Sequence, residues 1–198
     1  MYDLVDVTSG KIPYKKALVR HKKYETLFLL PTSQTKDKLA VSPEQVVALC
    51  SEMSADFDFI LIDCPAGIVA AADIALVVTM PEISAVRDAD KIIGELNRAD
   101  KENILLIVNR IRPDMVAKGE MLDLDDINDI LAIKCIGQIP DDEMVVSSTN
   151  RGEPVIANTK SQAGIAYQNI TRRLCGEDVP FMTFRTKESF FARLKKLF

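Results

Sequence analysis

Three polar residue groups follow apolar runs in this chain, and their types suit nucleotide chemistry. Asp63 closes 59–63 (FILID) ahead of Cys64-Pro65-Ala66-Gly67. Aspartate at the carboxyl end of a buried strand is the Walker B arrangement of nucleoside triphosphatases, where the carboxylate holds the Mg²⁺ water shell beside the phosphates. Asn109, within Val108-Asn109-Arg110, offers an amide that can donate and accept toward a purine edge. Ile139-Pro140-Asp141-Asp142 follows a further apolar run. Loops at the carboxyl edge are the usual ligand side of an open α/β sheet. Each group also has a plain alternative, because Asn, Pro and Asp are ordinary turn formers after a strand.

Other chemistries are poorly supplied. His21 is the only histidine and sits in a basic segment, so triads and multi-His metal sites have no material. Cys50, Cys64, Cys135 and Cys175 are scattered without a C-x-x-C pair, the pattern of reduced thiols. Thr8-Ser9-Gly10-Lys11 looks like the start of a phosphate loop, but Ile12-Pro13-Tyr14 follows, and it reads as a turn.

Five apolar runs must position the polar groups: 27–31 (LFLLP), 59–64 (FILIDC), 74–81 (IALVVTMP), Ile104–Ile111 (ILLIVNRI) and 135–140 (CIGQIP). Most lack alternation, as strands buried on both faces of a parallel sheet do. Helical patterns lie between them, at 42–53 with Ser42 capping and Pro43 at the first position, 84–99, Leu124–Leu131 and Gln162–Leu174 before Cys175-Gly176. The expected fold is α/β, a mostly parallel sheet flanked by helices, with strand 59–63 buried beside 104–108 or 74–78. One connection is short. Only nine residues separate Cys64 from Ile74, whereas a parallel crossover needs about a dozen.

At 198 residues with 47% hydrophobic and 27% charged content, the chain fits one soluble α/β domain over 1–176. A linker is expected over 177–186 and an amphipathic helix over 187–198. That terminal stretch places Phe190, Phe191, Leu194, Leu197 and Phe198 on one helical face, with Arg193, Lys195 and Lys196 filling the rest. From 185 onward there are five basic residues and one acidic. Taking these from the totals of 25 and 29 leaves 20 and 28 in the other 184 residues, a net of −8. A basic, Phe-rich terminal helix on an acidic body suits an anionic bilayer surface; the plain alternative is a helix docked on the protein's own core. No nucleic-acid partner is expected from the net charge of −4. Nor is a secretory leader expected, because the first residues are acidic where one would be basic.

Several stretches together carry a resemblance: LLPTSQTKDK, DFDFILIDCPAGI, ALVVTMPEISAVRDADKIIGEL, IVNRIRPDM, IGQIPDDEMVVSSTNRGEPV and the basic tail. Through them the chain resembles the MinD septum-site-determining proteins of the deviant-Walker ParA/MinD ATPase family. The resemblance implies a three-layer, P-loop NTPase-like fold, here without its first strand-loop-helix unit and with a shortened segment after Ile68. It also implies ATP and Mg²⁺ as cofactors, with Asp63 on the metal side through water and Asn109, Pro140 and Asp141 lining the adenine. Ser84, Asp88 and Asp90 match positions that contact a MinC-like division inhibitor; otherwise they are a solvated helix face. A MinE-like regulator, a homodimer and a cytoplasmic location peripheral to the inner face of the membrane are implied too. Three readings follow: a membrane-associated ATP-binding regulator of division-site placement, a catalytically inactive tethered binding module, and a truncated fragment. Without a Gly-rich phosphate loop, hydrolysis by this chain alone is not expected.

Overall fold

The computed structural model describes residues 2–32, 41–63 and 72–183. The terminal helix expected over 187–198 lies outside the described residues. Packing divides the chain into two compact units, Met1–Asp73 and Ile74–Phe198.

The second unit is built on a parallel sheet of three strands in the order β3-β4-β5, comprising β3 (Ala75–Thr79), β4 (Ile104–Ile111) and β5 (Lys134–Pro140). β4 is central, and its apolar side chains explain why. Leu105 and Ile107 join Ile136, Ile139 and Leu76 in the core under α7 (Gln162–Leu174). The alternate residues Leu106 and Val108 point to the opposite face and are fully buried. That face is the side of α3 (Ile83–Arg98) and α5 (Leu124–Leu131), which also pack on each other. Both connections out of β3 and β4 run through these helices, as parallel neighbours require. A short α4 (Pro113–Val116) starts directly after β4, and α6 (Glu143–Asn150) directly after β5. The result is three layers, helix on sheet on helix.

Close approach of α7 depends on Gly137 in β5. A Cβ placed there would lie 2.4 Å from Ile170 Cδ1 and 2.6 Å from its Cγ1, inside contact distance. Past α7, which ends at Cys175-Gly176 as its sequence indicates, the chain is held by Arg173. Its guanidinium donates to the carbonyls of Ile136, Val179 and Pro180, each at 2.9 Å, and lies 4.2 Å over the Phe181 ring. One side chain thereby ties residues 179–181 to β5.

The first unit holds α1 (Leu4–Thr8), β1 (Val19–Arg20), β2 (Phe28–Leu29) and α2 (Pro43–Met53). Ser42 and Gln45 cap α2 reciprocally, with Pro43 at its first position. Tyr14, Leu49 and Met53 form the buried core. Tyr14 donates its hydroxyl proton to Asp56, which also pairs with Lys15 at 2.7 Å. Hydrogen bonds from Lys15 and then Tyr14 hold the Asp56 carboxyl below the usual carboxylate range. Thr8–Lys11 is a helix end: Gly10 takes φ +75° and Lys11 bonds Asp6 at 3.0 Å, so no phosphate cradle forms.

Two expectations are corrected here. The run 27–31 is not a strand of the parallel sheet; only Phe28–Leu29 is extended, paired antiparallel with Val19–Arg20. The run 59–63 is not a buried strand either. It forms no ladder, and Phe59 and Leu61 are 71% and 86% exposed. Ile60 and Ile62 alone are half-buried, so the segment is covered on one side. With no ladder partner among the described residues, this apolar run has nothing in a sheet to pair its N–H and C=O groups and stays irregular.

Candidate functional site

The carboxyl ends of β4 and β5 meet where Ile111 pairs with Pro140. Before that point the register slips between Val108 and Ile111, so Asn109 and Arg110 form a bulge. Arg110 there adopts φ +58°, a left-handed conformation unusual for a residue with a Cβ. Surrounding bonds hold it. The Arg110 backbone N–H donates to Asn109 Oδ1 at 2.9 Å, and its Nε reaches Asp141 Oδ1 at 3.4 Å. The Asp141 N–H closes the other side by donating to Ile111 O at 2.9 Å. Asn109, buried Pro140 and exposed Asp141 are therefore brought together at one sheet edge, on two stitched loops. Because Asn109 Oδ1 is engaged, its amide N–H groups are the part left to face a ligand.

Behind these loops stands Asp142, which sequence reasoning passed over as part of the Ile-Pro-Asp-Asp turn. Its Oδ1 accepts the Met144 N–H at 2.9 Å, capping α6. Its Oδ2 accepts the Ser161 hydroxyl at 2.7 Å and the Ala163 N–H at 3.2 Å, at the start of α7. Ser161 Oγ in turn accepts the Gly164 N–H at 3.0 Å. One carboxylate thus joins two helix N-termini immediately beside Pro140 and Asp141. Burial pushes its pKa up, but the Ser161 hydroxyl and the amides of Met144, Ala163 and Gln162 outweigh that and hold it below the ordinary range. Two sequence signals pointed to this bond: Asp142 directly before Glu143 and Ser161 directly before Gln162 are both N-cap positions.

Asp63 belongs to the first unit, on the exposed side of 59–63. Ser84, Asp88 and Asp90 are all exposed on α3, opposite the buried stripe of Val86, Ala89, Ile93 and Leu96. Ser84 and Asp88 lie one turn apart, and Asp88 pairs with Lys91 at 2.9 Å. Ile83, 61% exposed, adds an apolar surface at the start of the same helix. The residues expected to contact the membrane, Phe190, Phe191, Arg193, Leu194, Lys195, Lys196, Leu197 and Phe198, lie outside the described residues. Among the described residues no helix is long and apolar enough to cross a membrane.

Comparison with known proteins gives a consistent answer. The septum site-determining protein MinD of Bacillus subtilis is 44% identical over 210 aligned positions, covering 100% of this chain and 78% of that protein. Since 210 positions take in 198 residues, at least a dozen fall in gaps of this chain. Among solved structures, the MinC:MinD cell division protein complex of Aquifex aeolicus matches with a TM-score of 0.86 and 40% identity, over 93% of this chain and 77% of that one. MinD of Pyrococcus horikoshii, complexed with Mg-ADP, matches with a TM-score of 0.72 over 88% of this chain and 73% of that one. At 22% identity it speaks for the fold alone. No protein-family model matches the chain.

Proposed function

The chain belongs to the MinD family of septum site-determining proteins, and we propose that it serves division-site placement by presenting α3 to a MinC-type inhibitor. The single observation that carries this reading is the exposed side of α3. A helix of 16 residues is anchored by four buried side chains and leaves Ser84, Asp88, Asp90 and Ile83 exposed on its outer side. Such a face is rigid before binding, which limits the ordering cost of an interface. Support also comes from the Aquifex relative, which is itself a partner in a MinC:MinD complex.

For the cofactor, the two sides of the implied site differ. The base side fits a purine: Asn109 retains free amide donors beside Pro140 and Asp141 on loops that are held from behind. The phosphate side does not fit. The Gly-Lys pair of the sequence ends a helix with its lysine bound to Asp6, and Asp63 lies on an exposed segment of the other unit. We therefore draw no hydrolytic step from these residues; the reading we carry is a peripheral membrane ATP-binding regulator of division-site placement, with a catalytically inactive tethered binding module as its alternative. Membrane attachment through 187–198, a MinE-like regulator, a homodimer and a peripheral place on the inner face of the membrane complete the proposal. They rest on the family and on the basic, apolar tail.

Calorimetric titration with a MinC-type inhibitor tests the reading. Asp88→Ala and Asp90→Ala should each weaken binding by about tenfold if they sit near an interface centre. Unchanged affinity in the double variant would remove α3 from the interface.

A further inference from the structure

On the α3–α5 side of the sheet, Val108, Ile111, Val116, Leu122 and Ile127 surround a cavity of about 390 Å³. Its size is that of a ligand cleft, and Ala117 and Asp123 at its mouth are exposed. Met182 and Thr183, where the described chain ends, form part of its wall. Arg173 fixes residues 179–181 just before them, so the next residues of the chain start at the cavity.

We propose that this cavity is the resting dock of the chain's own terminal segment, 184–198, in the protein away from membranes. Three observations select that occupant. The first is position, because the segment leaves directly from the cavity wall. The second is charge. Stretch 113–131, which forms much of the wall, carries Asp114, Glu120, Asp123, Asp125, Asp126 and Asp129, all exposed, against Lys118 alone. The segment 184–198 carries five basic residues against Glu188. The third is shape of the apolar surface. At 3.6 residues per turn, Phe190, Phe191 and Leu194 form one face, flanked by Arg193 and Lys195. Insertion of that face sets the flanking cations toward Asp123 in the lining and the acidic surface of 113–131, with Lys196 outward.

The consequence deepens the membrane reading and rests on it. The same Phe190 and Phe191 cannot occupy the cavity and a bilayer at once, so anionic lipid must displace the dock. An exposed apolar tail is thereby covered in solution, and membrane affinity is lowered by the fraction of molecules that are docked.

Hydrogen exchange on the full chain tests both parts. Without lipid, the double variant Phe190→Glu with Phe191→Glu should speed exchange at amides 116–127 by about threefold or more relative to wild type. Wild-type rates should not change on about tenfold dilution. Vesicles of phosphatidylcholine with phosphatidylglycerol should speed the same amides in wild type and leave the variant as it was; phosphatidylcholine alone should do neither. Equal rates in wild type and variant without lipid would overturn the dock. Protection that fades on dilution would assign the cavity to a second copy's tail and overturn the intramolecular contact. A lipid-free difference with no response to vesicles would uphold the dock and reject its coupling to membranes.

Discussion

Replacing Asp142 by alanine removes one carboxylate from two helix starts at once. The side chain accepts from the Met144 N–H at 2.9 Å, the Ser161 hydroxyl at 2.7 Å and the Ala163 N–H at 3.2 Å. Loss of the α6 cap alone costs about 1 kcal/mol. Ser161 is fully buried, so its hydroxyl loses an acceptor that water cannot replace, at about 1–3 kcal/mol. The half-buried carboxylate lets water satisfy part of the remainder, which places Asp142→Ala at about 3 kcal/mol in total. For a unit of this size that lowers the melting temperature by roughly 10 °C. Asp142→Asn keeps an acceptor oxygen but loses charge assistance, and should cost about half as much. The pH dependence fixes the sign. A carboxyl held low in the folded state stabilises it above the unfolded value of about 3.9, and that stabilisation is lost as pH falls through the folded value. The gap between wild type and Asp142→Asn should therefore be level near neutrality and close in acid. Circular-dichroism melts of both variants from neutral to acid pH make the measurement. A shift below about 0.5 kcal/mol for Asp142→Ala, or a gap that widens in acid, would refute the reasoning.

Gly137→Ala should destabilise the same unit by about 1–3 kcal/mol in denaturant titration, because its Cβ would sit 2.4 Å from Ile170 Cδ1. Purified chain with ATP and Mg²⁺ should release phosphate at background rate; turnover lost on Asp63→Ala would show a working phosphate site. Phe191→Glu should abolish co-sedimentation with anionic vesicles, whereas Lys195→Ala with Lys196→Ala should weaken it by about 1 kcal/mol per cation in a salt-dependent way. Binding indifferent to lipid charge would mean that the tail only packs on protein.

Legibility in the sequence tracked how local the determining physics was. β4 was readable to its ends, because ILLIVNRI is apolar on both sides and nothing but a central parallel strand satisfies it. α2 was readable because Ser42 caps it with Pro43 at its first position, and α7 because Gly176 follows its last turn; the structure adds Asp123 and Ser161 as the caps of α5 and α7. The run 59–63 has the same composition as β4 and fails as a strand, since ladder formation needs a partner that composition does not supply. The short crossover was the warning, and it was visible as a count of nine residues. What no pattern revealed was the left-handed Arg110 and its pairing with Asp141, far along the chain; the Asp142–Ser161 bond was foreshadowed only as two separate N-cap positions.

Those long-range bonds change what the candidate site means. Asn109, Pro140 and Asp141 are turn formers, and on separate loops they would be interchangeable with many others. Here the Arg110 conformation is held by Asn109 on one side and Asp141 on the other, at a cost of order 1 kcal/mol that surrounding structure must offset. The Asp142 carboxylate anchors the second loop to α6 and α7 independently of any ligand. A purine edge would therefore meet donors already in place on the base side, while the phosphate side has no comparable arrangement among the described residues.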